Sequence, residues 1–92
     1  MSDTILESTQ AFKRDVKKLP DSVKEKLKTK LKKFVKDPFY PGLRTKPIQN
    51  TAGVYESSVD MQWRFTWQYS GEGKGKIILR RVGDHNFTIN NP

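Results

Sequence analysis

Arg64, Arg80, Arg81 and His85 are the residues of this chain whose types and spacing invite chemistry. Arg64 stands in Trp63-Arg64-Phe65-Thr66-Trp67-Gln68-Tyr69, where aromatics hold the odd positions and Arg64, Thr66 and Gln68 the even ones. That strict period of two describes a β-strand with one apolar and one polar face. On the polar face an arginine has a rigid support from which its planar fork can clamp a phosphate. The alternative is a cross-strand pair with a glutamate, Glu56 being the candidate, that merely keeps the surface soluble. Arg80 and Arg81 lie near the end of the following strand, with His85 just beyond it. Histidine takes and gives a proton near neutral pH more readily than any other side chain. Cleaving RNA through its own 2′-hydroxyl needs a proton acceptor there, a donor for the departing 5′-oxygen, and cations for the extra phosphate charge. His85 with Arg64 and Arg81 or Arg80 would supply that set if the two strands pair. The plainer reading of a lone histidine in a turn is a hydrogen-bonded structural residue.

The setting of these residues is strongly basic. The 92-residue chain carries 18 Lys+Arg against 10 Asp+Glu, a net charge of +8 that suits a polyanionic partner. Eleven cations and three anions fall between residues 13 and 36, so that segment holds the entire net charge. Its lysines, Lys24, Lys28 and Lys32 among them, form either a footprint for RNA or DNA or the solvated face of amphipathic helices. Gly71, Gly73 and Gly75 lie between two strands and precede no helix, so they read as a hairpin loop rather than a phosphate loop. The absence of cysteine excludes disulfides, thiolate zinc sites and cysteine nucleophiles, and one histidine leaves little for a metal. Neither a metal nor a small-molecule cofactor is expected. No apolar run approaches a membrane span, and Met1-Ser2-Asp3-Thr4 is not a signal peptide, which points to a cytoplasmic protein.

The elements that must position the candidates follow from the apolar periodicity. Thr4 to Ser8 reads as a short strand. Phe12, Val16 and Leu19 recur at helical spacing from a start near Ser8 or Thr9, and Leu19-Pro20-Asp21 breaks that helix. Ser22-Val23-Lys24-Glu25 matches a capping box, and Val23, Leu27, Leu31, Phe34 and Val35 form the stripe of a second helix that Asp37-Pro38 stops. Leu43 to Ile48 is an edge strand carrying Pro47, and Asn50 to Gly53 is a turn. Strands follow at Val54–Asp60, Trp63–Tyr69 and Lys76–Val82, with a hairpin turn at Ser70–Gly75. Gly83 to Ile89 closes the chain as a turn and a last strand. Residues 1–92 therefore predict a single α+β domain. A short strand and a helical hairpin pack on one face of a mostly antiparallel sheet of four to five strands. The aromatic face of Trp63, Phe65, Trp67 and Tyr69 meets the helices, and Arg64, Thr66 and Gln68 face solvent.

Several short stretches resemble one family. They are Phe12-Lys13-Arg14-Asp15-Val16-Lys17-Lys18-Leu19-Pro20, Asp37-Pro38 through Pro41-Gly42-Leu43, Gly53 through Asp60, Trp63-Arg64-Phe65-Thr66-Trp67, and Val82-Gly83-Asp84-His85-Asn86. Their order resembles the RelE/ParE superfamily of bacterial toxins, with the RelE-like branch the nearer. The resemblance implies the fold above and one of two activities. RelE-like members cleave messenger RNA on the ribosome, and ParE-like members poison DNA gyrase; a catalytically decayed RNA-binding or regulatory module is a third reading. It also implies a cognate antitoxin as partner. Under the nuclease reading Arg64 matches the strand arginine that contacts the scissile phosphate, and His85 matches the histidine of a C-terminal His-Asp-x-x-Tyr pattern. Arg81 and Arg80 fall near a second cation of the relatives, while Lys46 and Arg44 fall where some carry a catalytic charged residue. The basic helices would dock on ribosomal RNA. Asn86 and Ile89 replace the Asp and Tyr of the pattern, and Tyr55, Glu56 and Ser57 stand where the RelE type carries lysines.

Overall fold

A computed structural model describes residues 4–71 and 75–92. The expected N-terminal tetrapeptide and hairpin turn fall partly on residues 1–3 and 72–74, which lie outside the described residues.

The first two helices form where their apolar stripes predict them. Helix α1 spans Gln10–Lys17, and its N-cap Thr9 accepts a hydrogen bond from the Phe12 amide at 3.0 Å. The same hydroxyl donates to the Arg80 carbonyl at 2.8 Å, so one side chain caps the helix and stitches it to the sheet. Helix α2 spans Asp21–Phe34 and corrects the capping-box expectation. Its N-cap is Pro20, whose carbonyl accepts from Val23 and Lys24, and no side chain caps it. The proline's φ of −56° already suits a helix start, so Ser22 and Glu25 fall inside the first turns.

Five strands, β1 (Ile5–Ser8), β2 (Lys46–Pro47), β3 (Tyr55–Ser58), β4 (Trp63–Tyr69) and β5 (Lys76–Asp84), lie in the order β1-β5-β4-β3-β2. The β1–β5 pair is parallel and the others antiparallel. The expected edge strand Leu43–Ile48 shrinks to two residues. Leu43 belongs to a 3-10 turn at Pro41–Leu43, and Arg44 after it takes a left-handed conformation with φ 50° that a strand cannot contain. Pro47 lies on the outermost strand, the place where its missing N–H costs least.

Phe34 seals the helices to the sheet. Its ring meets Phe65 edge-on at 5.2 Å and Trp67 at 5.0 Å, and all three residues are fully buried. Tyr55 stacks on Trp67 at 4.7 Å, and the indole N–H finds the Ser57 hydroxyl at 2.9 Å, so the largest core side chain leaves no polar atom orphaned.

The last element is a helix rather than a strand. Helix α3 spans His85–Asn90, and its N-cap Asp84 accepts from the Phe87 amide at 2.8 Å. It packs on β4 and β5 and covers part of the face expected to be open. Thr66, read as solvent-facing, is fully buried; its hydroxyl donates to the Pro92 carbonyl at 3.1 Å and accepts from the Arg81 amide at 3.0 Å. Phe87 seats the helix on a bare backbone: a Cβ on Gly83 would stand 2.5 Å from its ring. Replacing Gly83 with alanine should therefore lift α3, costing about 1–3 kcal/mol as an overpacked contact. A fall in melting temperature with increased hydrogen exchange confined to residues 85–90 would show it. An unchanged melt would refute it.

Candidate functional site

Glu56 is the residue around which the polar face gathers. It sits directly across from Lys46 of β2 and Thr66 of β4, and its side chain is only 2% exposed. A carboxylate this deeply buried persists only with partners, because an isolated buried charge is too costly. Thr88 of α3 donates its hydroxyl to Oε2 at 3.0 Å. Arg64 brings Nε to 3.9 Å from Oε1, and His85 brings Nδ1 to 3.4 Å from Oε2.

Arg64 is held from several sides. Its Nη1 donates to the Trp63 carbonyl at 3.1 Å and also to the Asp60 carbonyl. Both N–H groups on Nη2 have no partner among the described residues, which leaves a donor pair for an incoming anion. His85 opens α3, and its amide donates to the Gln62 carbonyl at 3.1 Å. Its imidazole is 42% exposed although Nδ1 is fully buried and makes no hydrogen bond. The accessible edge of the ring is thus the one that carries Nε2. Beside this cluster lies an open cleft of about 550 Å³ with Glu56, Lys46, Thr51, Ile89 and Pro92 in its walls.

The other candidates are distributed unevenly. Lys46 is exposed opposite Glu56, so β-pairing brings it to the site. Arg81 is not among the contacts of Glu56. Its Nε and Nη2 donate to Asp15 of α1 at 2.8 and 3.2 Å, and its guanidinium lies 4.9 Å from the Phe87 ring centroid. That hydrogen-bonded pair raises the arginine's pKa above its ordinary value, against the opposing pull of burial. Arg80 donates Nε to the Pro92 carbonyl at 2.9 Å and Nη1 to the Gln68 side chain. The two neighbours part company at a β-bulge, where Thr66 pairs with Arg81 but Trp67 pairs with Leu79, leaving Arg80 as the extra residue. Arg44 is exposed beside α2. Lys24 and Lys28 pair with Asp21 and Glu25 on the helical side, and Lys32 is exposed on the same helix, so none of the three joins Glu56.

Glu56 and Thr88 are the members that sequence reasoning did not place. Glu56 was legible only as a partner for Arg64, and Thr88 carried no signal once the segment was read as a strand. Among the described residues no three His, Cys, Asp or Glu side chains are grouped to hold a metal ion. None of the described helices is long and apolar enough to cross a membrane. Asp15 is 7% exposed at its side chain and also accepts from the Val82 amide at 3.2 Å, so its loss strands a partly buried Arg81. Asp15→Ala should destabilise the fold by about 2–3 kcal/mol, below the full value for a buried pair because Arg81 is 29% exposed. Urea unfolding that moved by less than half a kcal/mol would contradict this.

A helical hairpin on one face of a five-stranded sheet, with the edge strand β1 parallel to β5, is the RelE/ParE toxin fold. Solved structures carry that assignment. The chain is similar to a YoeB/ParE toxin from Agrobacterium tumefaciens at a TM-score of 0.73 and 19% identity, covering 89% of this chain and 99% of that one. It is similar to YafQ from E. coli at 0.74 and 19%, covering 92% and 97%. A chain of the intact E. coli RelBE toxin-antitoxin complex matches at 0.69 and 21%, covering 88% and 95%. No protein-family model and no curated protein matches the sequence.

Proposed function

We propose that this chain is an mRNA-cleaving toxin of a toxin–antitoxin pair, acting by attack of the 2′-hydroxyl on the adjacent phosphate. The observation that supports it is the buried Glu56 carboxylate lying between Arg64, with Nε at 3.9 Å, and His85, with Nδ1 at 3.4 Å. In this reading the free Nη2 donors of Arg64 meet the scissile phosphate and stabilise its growing charge. Glu56 is too buried to touch substrate; it orients the imidazole through Nδ1 and leaves Nε2 to work. Nε2 takes the proton from the 2′-oxygen and returns it to the departing 5′-oxygen. The products are a 2′,3′-cyclic phosphate and a 5′-hydroxyl. Lys46 adds positive charge across from Glu56. Arg81 serves by tying α3, and so His85, to α1 through Asp15 and Phe87. An antitoxin partner is proposed from the fold, since relatives such as RelE and YafQ were crystallised in toxin-antitoxin complexes.

The test is a translating extract given the purified chain, with primer extension along a reporter mRNA. Cuts inside the open reading frame, bearing cyclic-phosphate ends and persisting with excess chelator, are expected. Intact mRNA together with inhibited DNA supercoiling would transfer the protein to the gyrase-directed reading.

A further inference from the structure

Helix α2 turns a second row of cations toward the sheet's far end, and nothing above uses it. Lys26, Lys30 and Lys33 recur at the spacing of one helical ridge, distinct from the row of Lys24, Lys28 and Lys32. Between that ridge, Arg44 and the turn joining β3 to β4 lies an open cleft of about 530 Å³. Its charges are not equally available. Lys26 pairs with Asp60 at 3.1 Å. Burial alone would raise that carboxyl, but the amides of Trp63 and Gln62 and the lysine more than offset it and hold it below its ordinary value. Glu25, the other acid in the walls, pairs with Lys28 at 3.7 Å. Lys30 spends one donor on the Gly42 carbonyl at 3.2 Å and keeps two. Arg44 is exposed and has no side-chain partner among the described residues.

An aromatic ring completes the arrangement. Tyr40 is 39% exposed, and its ring rests against Gly42, where a Cβ would stand 2.9 Å from it. Lys33 holds its ammonium 5.0 Å from the ring centroid. A positioned ring beside unpaired cations is the pattern that grips single-stranded nucleic acid: the cations take phosphates and the ring takes a base face. Met61, 79% exposed at the tip of the turn, adds an apolar contact. The turn also links this cleft to the cluster at Glu56. The Asp60 carboxylate accepts from Lys26 on the cleft side, and its carbonyl accepts from Arg64 on the other.

We propose that the cleft between α2 and the β3–β4 turn, with Tyr40 adjoining it at Gly42, is a subsite for single-stranded RNA: Lys30 and Arg44 hold backbone phosphates in the cleft and Tyr40 stacks a base beside it. The choice of RNA as ligand rests on the nuclease reading; the subsite does not need the chain to cut. A strand held at Arg64 crosses the turn and enters the cleft.

The probe is a short fluorescein-labelled single-stranded RNA, 2′-O-methylated throughout so that no 2′-hydroxyl can attack, followed by anisotropy over a salt series. The double variant Lys30→Glu with Arg44→Glu should weaken binding about tenfold or more and flatten the log K against log salt slope by about 1.4, two phosphates' worth. Tyr40→Ala should lose about fivefold or more at unchanged slope. The control is Lys13→Glu with Lys17→Glu, the same charge change on exposed residues of α1, which should lose much less. Undetectable binding by the unaltered chain, equal losses in the two double variants, or displacement by polyglutamate regardless of Tyr40 would each overturn the subsite. Failure of the nuclease reading would show separately, as uncut natural RNA in the translating extract.

Discussion

Arg64→Ala should lower the rate of RNA cleavage by about 10²–10³-fold, the loss expected when one preorganised donor to a developing charge is removed, while the chain stays folded because Glu56 keeps Thr88 and His85 beside it. The reasoning starts from how the guanidinium is fixed. Two backbone carbonyls, of Asp60 and Trp63, hold Nη1, and the Glu56 carboxylate lies 3.9 Å from Nε. Those contacts lock a side chain that would otherwise lose much rotamer freedom on meeting a phosphate, so little reorganisation remains for the reaction itself. The residue is 16% exposed at its side chain and stands on the second strand from β2, away from the helical core. Removing it leaves the Phe34–Phe65–Trp67 cluster untouched. Arg64→Lys is the sharper comparison. It keeps the charge but cannot reach two carbonyls and a phosphate with one planar fork, so it should recover less than a tenth of the activity. The assay is single-turnover cleavage in the translating extract, with circular dichroism as the fold control. Full activity in the lysine variant would show that charge alone suffices, and full activity in the alanine variant would remove Arg64 from the site.

How much of this was legible before the structure depends on whether a residue's partners are local. The apolar rows Phe12-Val16-Leu19 and Val23-Leu27-Leu31-Phe34 and the alternation in β4 are local patterns, and the helices and strand they predict are present. Their meeting at Phe34, Phe65 and Trp67 followed from there being one apolar face on each side. Non-local effects were harder to read. Helix α3 has only Phe87 and Ile89 as apolar residues, and Ile89 is 46% exposed, so no helical stripe exists to be found. Asp84, an N-cap three residues before Phe87, was the available signal. Glu56 reads as a solvent-facing strand residue until α3 lands on it. The bulge that turns Arg80 toward Pro92 and Arg81 toward Asp15 depends on pairing with β4, which neither arginine announces. The proposed site is therefore half visible in the sequence: Arg64, His85 and a Glu56 partner for Arg64 can be named, but not the burial that places the carboxylate between Arg64 and His85.

That carboxylate supports the second large prediction. His85→Ala should reduce cleavage by about 10²–10⁴-fold, the range for loss of a positioned proton-transfer group. Glu56→Gln should reduce it by about 10–100-fold, the usual effect of removing the group that orients a catalytic imidazole. The two losses should not add. Glu56 acts mainly through Nδ1 of His85, so once the imidazole is gone only its 3.9 Å contact with Arg64 is left to disturb, and the double variant should lie close to His85→Ala alone. A purely structural Glu56 predicts something different. Its removal would release the Thr88 hydroxyl and loosen α3, lowering stability and activity together in either background. Glu56→Gln keeps the shape and can still accept from Thr88, so its melting temperature should fall little while its rate falls tenfold or more. Additive rate losses, or a rate that follows the melting temperature across Glu56→Gln and Thr88→Val, would reduce Glu56 to a brace for α3. Coupled rate losses with an unchanged melt would leave the carboxylate acting on the proton that His85 carries.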